Sequence, residues 1–359
     1  MVNQHLIVNL SVLFDRPTGI ATYAEQITHQ LKPLNPTLLT SRIYPDFSCY
    51  QIPSNLTPVQ GKIGHFSRLL WTQFQIPKIY QELQGSLLFS PVPEAPLGSK
   101  CRTVVMVHDL IPLRFPRLTS PLSHYFRHYA GHVLKNALHI ICNSESTAKD
   151  IVDYYHIEPK KITPIHLGYD PTHFKPNPSV SAGSYFLYVG RQDLYKNLHR
   201  LIAAFAALPK RKDYQLYLVG TQDPRYSPTL LEIAKAHGVQ EQVKFLNYVS
   251  YQELPLLYSG ALALVFPSLW EGFGIPALEA MACGTPVITS NISALPEIVG
   301  DAGILVDPYS IESITKALQD VISDPVLRAQ MSRRGLETSA KFNWQTTGKK
   351  TLEVLQNYM

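Results

Sequence analysis

The chain has 359 residues, 45% of them hydrophobic and 16% charged, with a formal charge of +5. That length suits two domains of ordinary size, and a composition with 28 prolines and no low-complexity tract excludes a disordered chain. The mild basic excess fits anionic small molecules or an anionic membrane surface, while the dispersal of the basic residues excludes a nucleic-acid binder.

No apolar run is long enough to cross a bilayer. The start "MVNQHLIVNLSVLF" lacks a signal peptide's basic region, apolar stretch and small-residue cleavage site, so it reads as the first strand of a cytoplasmic chain. In chain order, short apolar runs alternate with segments of helical period, the pattern of parallel sheets covered by helices on both faces. The first-half runs are "HLIVNLSVL" (5–13), "LLFSP" (87–91), "TVVMVHD" (103–109), "HIICNS" (139–144) and "ITPIHLG" (162–168). Between the first two, residues 65–83 show apolar residues at helical spacing, including Phe66, Leu69, Leu70 and Trp71. This predicts a helix broken before Pro77, either packed on its own sheet or docked on an anionic membrane.

"GYDPTHFKPNPSVSAGS" (168–184), with Pro171, Pro176 and Pro178 and no periodicity, reads as an interdomain linker. The domains are accordingly 1–175 and 184–340. Second-half strands are expected at "YFLYVG" (185–190), "YQLYLVG" (214–220), "VKFLNYV" (243–249), "ALALVFPS" (261–268), "PVITS" (286–290) and "GILVD" (303–307), and the remainder is helical. Doubly wound sheets bind ligands at the carboxyl ends of their strands, so a ligand is expected in the cleft between the domains. Cys49, Cys101, Cys142 and Cys283 form no CxxC pair, which predicts neither a disulfide framework nor a zinc site.

"WEGFGIPALE" (270–279) admits three readings. As a GxGxxA nicotinamide fingerprint, Gly272, Gly274 and Ala277 would have to follow a strand directly, yet "SLWE" intervenes and Glu271 would face the phosphates. As a helix start, Pro276 suits the first turn and Gly284 the end, but Glu271 and the two loop glycines stay unexplained. As a ligand site, the loop amides and helix dipole would receive an anion, and two carboxylates would accept hydrogen bonds from sugar hydroxyls.

In its context after "LVFPS" and before "AMACGTPVITS", "EGFGIPALE" resembles the E-x7-E element of the GT4 family of retaining glycosyltransferases. That resemblance covers nearly the whole chain and implies an α/β architecture of the GT-B type, two doubly wound Rossmann-like domains facing a cleft. It also implies that the C-terminal helix, 341–359, packs back on the first domain. It assigns Glu271 to the hydroxyls of a donor sugar and Glu279 to the nucleotide ribose, with the amides of Gly272, Phe273, Gly274 and Ile275 along the donor. Arg191 and Lys196 in "YVGRQDLYKNLHRL" match the family's pyrophosphate-holding basic pair, and Asn197 follows them as it often does there. His108, ending the strand "TVVMVHD", matches the histidine at the donor's reacting carbon. Tyr248 and Val249 match the segment flanking the nucleobase, although Tyr248 also reads as an ordinary strand aromatic. Where many relatives carry glycine pairs, this chain has Thr18 and Gly19, and Ser293 and Ala294. Gly19 is therefore only a weak phosphate candidate, and the serine form resembles a subgroup rich in mannosyltransferases.

The resemblance implies transfer of a hexose, of mannose or glucose type, from a nucleoside diphosphate sugar to a glycan or lipid-linked hydroxyl in polysaccharide or glycolipid assembly. The donor would be GDP-mannose or a UDP-hexose, a substrate and not a cofactor. No DxD-type motif is suitably placed, so a metal-independent site is expected, with basic side chains and the helix dipole carrying the charge. The chain is expected in the cytoplasm, with peripheral contact on the inner face of the membrane. Competing classes are a catalytically silent nucleotide-sugar-binding protein and an NAD-dependent oxidoreductase.

Overall fold

A computed structural model describes residues 4–13, 19–56, 61–117 and 120–359. Among these residues two parallel sheets form. The first contains β1 (Leu6–Asn9), β2 (Thr37–Thr40), β3 (Ser48–Gln51), β4 (Leu87–Ser90), β5 (Thr103–Val107), β6 (His139–Cys142) and β7 (Ile162–Pro164). The second contains β8 (Tyr185–Val189), β9 (Gln215–Val219), β10 (Val243–Leu246), β11 (Ala263–Phe266), β12 (Val287–Ser290) and β13 (Ile304–Val306). Their orders are β3-β2-β1-β4-β5-β6-β7 and β10-β9-β8-β11-β12-β13. Each sheet starts in its middle, winds to one edge, then returns to wind to the other, the doubly wound pattern expected from the sequence.

Every strand expected from the sequence is present. β2 and β3 are additional, and their invisibility has a physical cause. β2 is four residues, "TLLT", too short to display a period. β3, "SCYQ", is an edge strand with exposed ends and only partly buried centre, so it needs little apolar character. β1, β2, β4, β5 and β6 are wholly buried because helices cover both faces, while β7 at the other edge is only partly so. Val105, Val107, Ile140 and Ile151 belong to one apolar cluster, while Ile7, Leu39, Ile76 and Leu88 belong to another.

The chain divides into two compact units, Met1–Gly168 with Trp344–Met359, and Tyr169–Asn343. The segment read as a linker is thus part of the second unit. Phe174 meets the rings of Tyr251 and Tyr258 at 5.4 and 6.1 Å, the Asn177 amide donates to Ser259 Oγ, and the Gly183 amide donates to the Gly260 carbonyl. Aromatic packing fixes a proline-rich segment that has no period of its own. The last helix, Trp344–Gln356, joins the first unit. Trp344 lies 6.4 Å from the Tyr23 ring, Thr347 Oγ1 donates to the His166 carbonyl at 2.8 Å, and Gly348 lets Gln30 pack against its backbone.

Residues 65–83 lie in two helices, Gly61–Phe74 and Ile76–Glu82, broken at Gln75 before Pro77. The second helix buries Ile76 and Ile79. The first has two characters, with Arg68 and Thr72 buried while Ile63, Phe66, Leu70 and Phe74 form an exposed stripe at spacings of three and four. Among the described residues no helix is long and apolar enough to cross a membrane.

At the carboxyl ends of β8 and β9 the backbones approach too closely for a side chain. Gly220 has φ +142°, and a Cβ there would stand 2.0 Å from the Gly190 carbonyl oxygen. Gly220→Ala should therefore cost about 1–3 kcal/mol, seen as a lower urea midpoint at an unchanged denaturant slope.

Candidate functional site

A doubly wound sheet opens a crevice where neighbouring strands send their connections to opposite faces. In the second sheet that point lies between β8 and β11, and the loops leaving them carry the main candidates. Loop 267–274 is pinned on several sides. The Asn197 amide donates to the Pro267 carbonyl at 3.0 Å, Ser290 Oγ to the Ser268 carbonyl at 2.7 Å, and the Leu269 amide to the Tyr195 carbonyl at 2.7 Å. The Glu271 amide donates to Ser293 Oγ at 3.2 Å. Ser293 sits at φ +61°, in the left-handed region that glycine adopts without strain.

This pinning sets Glu271 against Lys196. Lys196 Nζ donates to Glu271 Oε1 at 2.6 Å, with side chains only 11% and 10% exposed. Lys196 also lies over the rings of Tyr195 and Phe266, at 5.0 and 5.3 Å from their centroids. Taking either charge away would leave the other buried without its partner, which makes the two a single unit. An ammonium carries three donors and a carboxylate two oxygens, so both groups keep hydrogen-bonding capacity beyond their mutual bond.

Arg191 stays largely exposed, its Nε 3.0 Å from Asp193 Oδ2. Buried Asp193 also lies 3.6 Å from Arg225, which pairs with Asp223. Between the loops stands Tyr188, whose hydroxyl donates to the Arg191 carbonyl at 2.6 Å. Burial raises this phenol far above its usual range, with Glu271 and Asp193 adding to the shift and Arg191 opposing it. Glu271, Asp193 and Arg191 thus all act on one buried tyrosine.

Asn197 requires a correction. Its side chain is fully buried, Nδ2 donates to the Pro267 and Pro308 carbonyls at 3.0 and 2.6 Å, and Oδ1 accepts from Arg200. With the amide committed and the backbone at φ +63°, Asn197 shapes the loop and has no side-chain donor left for a ligand. Phe273 has its ring buried edge-on to Phe342 at 6.1 Å, which leaves its backbone, the group expected along the donor, to line a site.

Gly274, at φ +116°, precedes the helix Ile275–Ala282, and a Cβ there would strike Leu295 at 2.8 Å. Glu279 lies on that helix, held by Tyr258, whose hydroxyl donates to Oε2 at 2.9 Å. Burial pushes the Glu279 carboxyl up to about 8, against the lowering effect of this hydrogen bond. Tyr248 is not a strand aromatic, since β10 ends at Leu246; it stands exposed beyond the strand, followed by half-buried Val249.

In the first unit, His108 follows β5. Nε2 meets the Pro91 carbonyl at 2.9 Å, and the ring lies edge-on to Tyr23 at 5.0 Å. Burial pulls His108 down to about 4, only partly offset by that carbonyl, so the ring is neutral at pH 7. A carbonyl can only accept, which places the proton on Nε2 and leaves Nδ1 as an acceptor. Gly19 opens the helix Gly19–Gln30 after β1; Thr18 and the loop before it lie outside the described residues.

Two residues were missed in the sequence. Asp193, two positions from Arg191, could have been found by its local spacing. Tyr258 is brought to Glu279 by tertiary packing alone, and nothing in the local pattern announces it.

Comparison with known proteins adds the following. Residues 17–173 match the family model described as Glycosyltransferase Family 4, and residues 170–338 match Glycosyl transferases group 1. The chain is 36% identical over 173 residues to the O-antigen chain mannosyltransferase B of Escherichia coli, a match covering 47% of this chain and 45% of that protein. The chain thus spans about half the length of that relative. To the O-antigen chain mannosyltransferase RfbU of Salmonella typhimurium it is 28% identical over 329 residues, covering 88% of this chain and 90% of the other. Among solved structures, Anabaena HepE in complex with UDP and glucose superposes with a TM-score of 0.75 at 18% identity, over 99% of this chain and 100% of that one. At that identity the likeness establishes a shared fold.

The raised carboxyl of Glu279 has a consequence for stability. The native chain retains a proton there that the unfolded chain releases near pH 4.5, so stability should fall as pH rises from about 4.5 to about 8. Thermal unfolding across this window should show the decline, and Glu279→Gln should flatten it.

Proposed function

The chain belongs to the GT4 glycosyltransferases, and on that premise we propose that it moves a hexose from a nucleoside diphosphate sugar to a hydroxyl of a glycan or lipid-linked acceptor, with retention. The buried Lys196–Glu271 pair, set by loops leaving neighbouring strands, is the observation that carries this reading. Lys196 uses one hydrogen bond on Glu271 and turns its remaining donors to the diphosphate, joined by exposed Arg191. Glu271 turns its second oxygen to the sugar hydroxyls. The backbone at Gly272, Gly274 and Ile275 and the dipole of the following helix meet the charge that grows on the leaving group. Glu279 takes the ribose hydroxyls, Tyr248 and Val249 flank the base, and neutral His108 accepts a hydrogen bond from a sugar hydroxyl at Nδ1.

Bond making and breaking occur on one face of the anomeric carbon. Its bond to the diphosphate oxygen breaks, its bond to the acceptor oxygen forms, and the acceptor's proton passes to the departing phosphate. The charge is met by Lys196, Arg191 and backbone amides, and no step of the reaction calls on a metal ion. GDP-mannose leads as donor on the "SNISALPE" segment and on relatives named as mannosyltransferases, with UDP-hexoses next. The O-antigen names of those relatives support a place in polysaccharide assembly.

A test pairs a thermal-shift panel of nucleotide sugars with transfer assays. One donor should raise the unfolding temperature and turn over with retention; binding without turnover across acceptors would instead mark a silent binding protein. Glu271→Gln preserves a hydrogen-bond acceptor for Lys196 and should lower turnover on the order of 10²–10³-fold while sparing nucleoside diphosphate binding. Lys196→Met should weaken both. Wild-type turnover in either variant would refute the assignments.

The exposed stripe Ile63, Phe66, Leu70 and Phe74 supports peripheral contact with the inner face of a membrane, where a lipid-linked acceptor resides. The sequence from 61 to 81 contains no Asp or Glu, and exposed Lys78 lies one turn beyond Phe74, which favours an anionic surface. Sedimentation with phosphatidylglycerol vesicles should retain the wild type and release Phe66→Ser/Phe74→Ser. Equal retention of both would remove the helix from this role.

A further inference from the structure

The loop after β4 reads "PVPEAPL", residues 91–97, with prolines at 91, 93 and 96. Proline has no backbone N–H, so this loop has few turn hydrogen bonds of its own, with the Glu94 amide donating to the Val92 carbonyl at 2.7 Å. It is held mainly through its carbonyls by side chains from other elements. His108 Nε2 meets Pro91 at 2.9 Å, Tyr125 Oη donates to Pro93 at 3.1 Å, Tyr129 Oη to Ala95 at 2.9 Å, and Gln73 Nε2 to Leu97 at 2.7 Å. At the centre, Glu94 receives a bidentate grip from Arg68, with Nε and Nη2 each at 2.8 Å.

Arg68 and Glu94 are 3% and 2% exposed. Burial alone would raise the Glu94 carboxyl, but the charge and hydrogen bonds of Arg68 outweigh it and leave it lowered. Arg68 completes its set by donating to the Leu56 carbonyl and to His65 Nδ1. A pair so deeply buried contributes little net stability, because desolvation of the two ions offsets their attraction. What it does supply is geometric: a planar fork on a carboxylate fixes position and orientation together.

We propose that Glu94, gripped by Arg68, is a positioning residue for His108, holding the Pro91 carbonyl where it keeps the imidazole proton on Nε2 and Nδ1 open to the substrate. His108 binds the end of a segment whose middle is clamped. A shift of the clamp moves Pro91, removes the acceptor from Nε2–H and lets the neutral ring exchange tautomers. The role of Nδ1 toward substrate rests on the transferase reading above, whereas the tautomer does not.

The test uses the full chain labelled with 15N-histidine, the His108 signals being assigned by their loss in His108→Gln. Wild type should show a protonated Nε2 and a bare Nδ1. Glu94→Gln should show averaged tautomer shifts, with kcat reduced about 10- to 100-fold and the donor KM little changed. Glu94→Asp should recover part of both. Should Glu94→Gln fail to fold, Arg68→Met/Glu94→Met removes both charges and should fold while showing the same averaged shifts. Wild-type tautomer shifts in a folded Glu94→Gln or in the double variant would overturn the proposal. So would a change confined to donor KM. If the wild type transfers no sugar, the tautomer comparison still decides the positioning role.

Discussion

A lysine and a glutamate that share a 2.6 Å hydrogen bond with nine-tenths of each side chain out of water set the terms for the second unit. Neither is tolerable there alone, since an unpartnered buried ion costs several kcal/mol. The loops that bring them together must therefore be rigid, and the surrounding contacts read as a consequence. Asn197 braces Pro267, Ser290 braces Ser268, Tyr195 receives the Leu269 amide and Ser293 receives that of Glu271. Order in these loops is maintained largely by side chains reaching backbone groups, with one backbone bond between the loops, and that is how loops without regular structure hold a site to fractions of an ångström.

The first unit solves the same problem by another route. Its loop after β4 is rich in proline, so backbone donors are few and the hydroxyl, imidazole and carboxamide groups of neighbouring elements add to them. Both loops leave the carboxyl end of a strand beside the point where the winding reverses, which is where a doubly wound sheet leaves space. The two units thus differ in the chemistry of restraint while sharing its location.

How much of this the amino-acid order disclosed follows from range. Strands such as "TVVMV" and "ALVF" announce themselves because burial on both faces demands continuous apolar runs, whereas "SCYQ" at an edge carries no such demand. The residues later found in the second-unit loops were legible as types at strand ends: Arg191, Lys196, Glu271, Gly274. Their partners were not. Lys196 and Glu271 are 75 positions apart, Tyr258 and Glu279 21, Arg68 and Glu94 26, and no local pattern encodes such meetings. The misreadings have the same origin. Asn197 was placed in the site because it follows Lys196 as it often does in the family, when two distant carbonyls had already taken its amide. Residues 168–184 looked like a linker because the contacts of Phe174 with Tyr251 and Tyr258 cannot be seen from proline content.

The two carboxylates of the E-x7-E element show why spacing alone underdetermines chemistry. Glu271 meets an ammonium and Glu279 meets a phenol, so the two buried carboxyls have different partners. The first is held as half of an ion pair. The second lacks a cation to offset its desolvation and keeps its proton up to about pH 8. A protonated carboxyl both donates and accepts, while a carboxylate only accepts, so a pair of vicinal hydroxyls would be received differently at the two positions. The repeated glutamate is thus one residue type placed in two electrostatic settings, and the settings come from Lys196 and Tyr258 rather than from the motif itself.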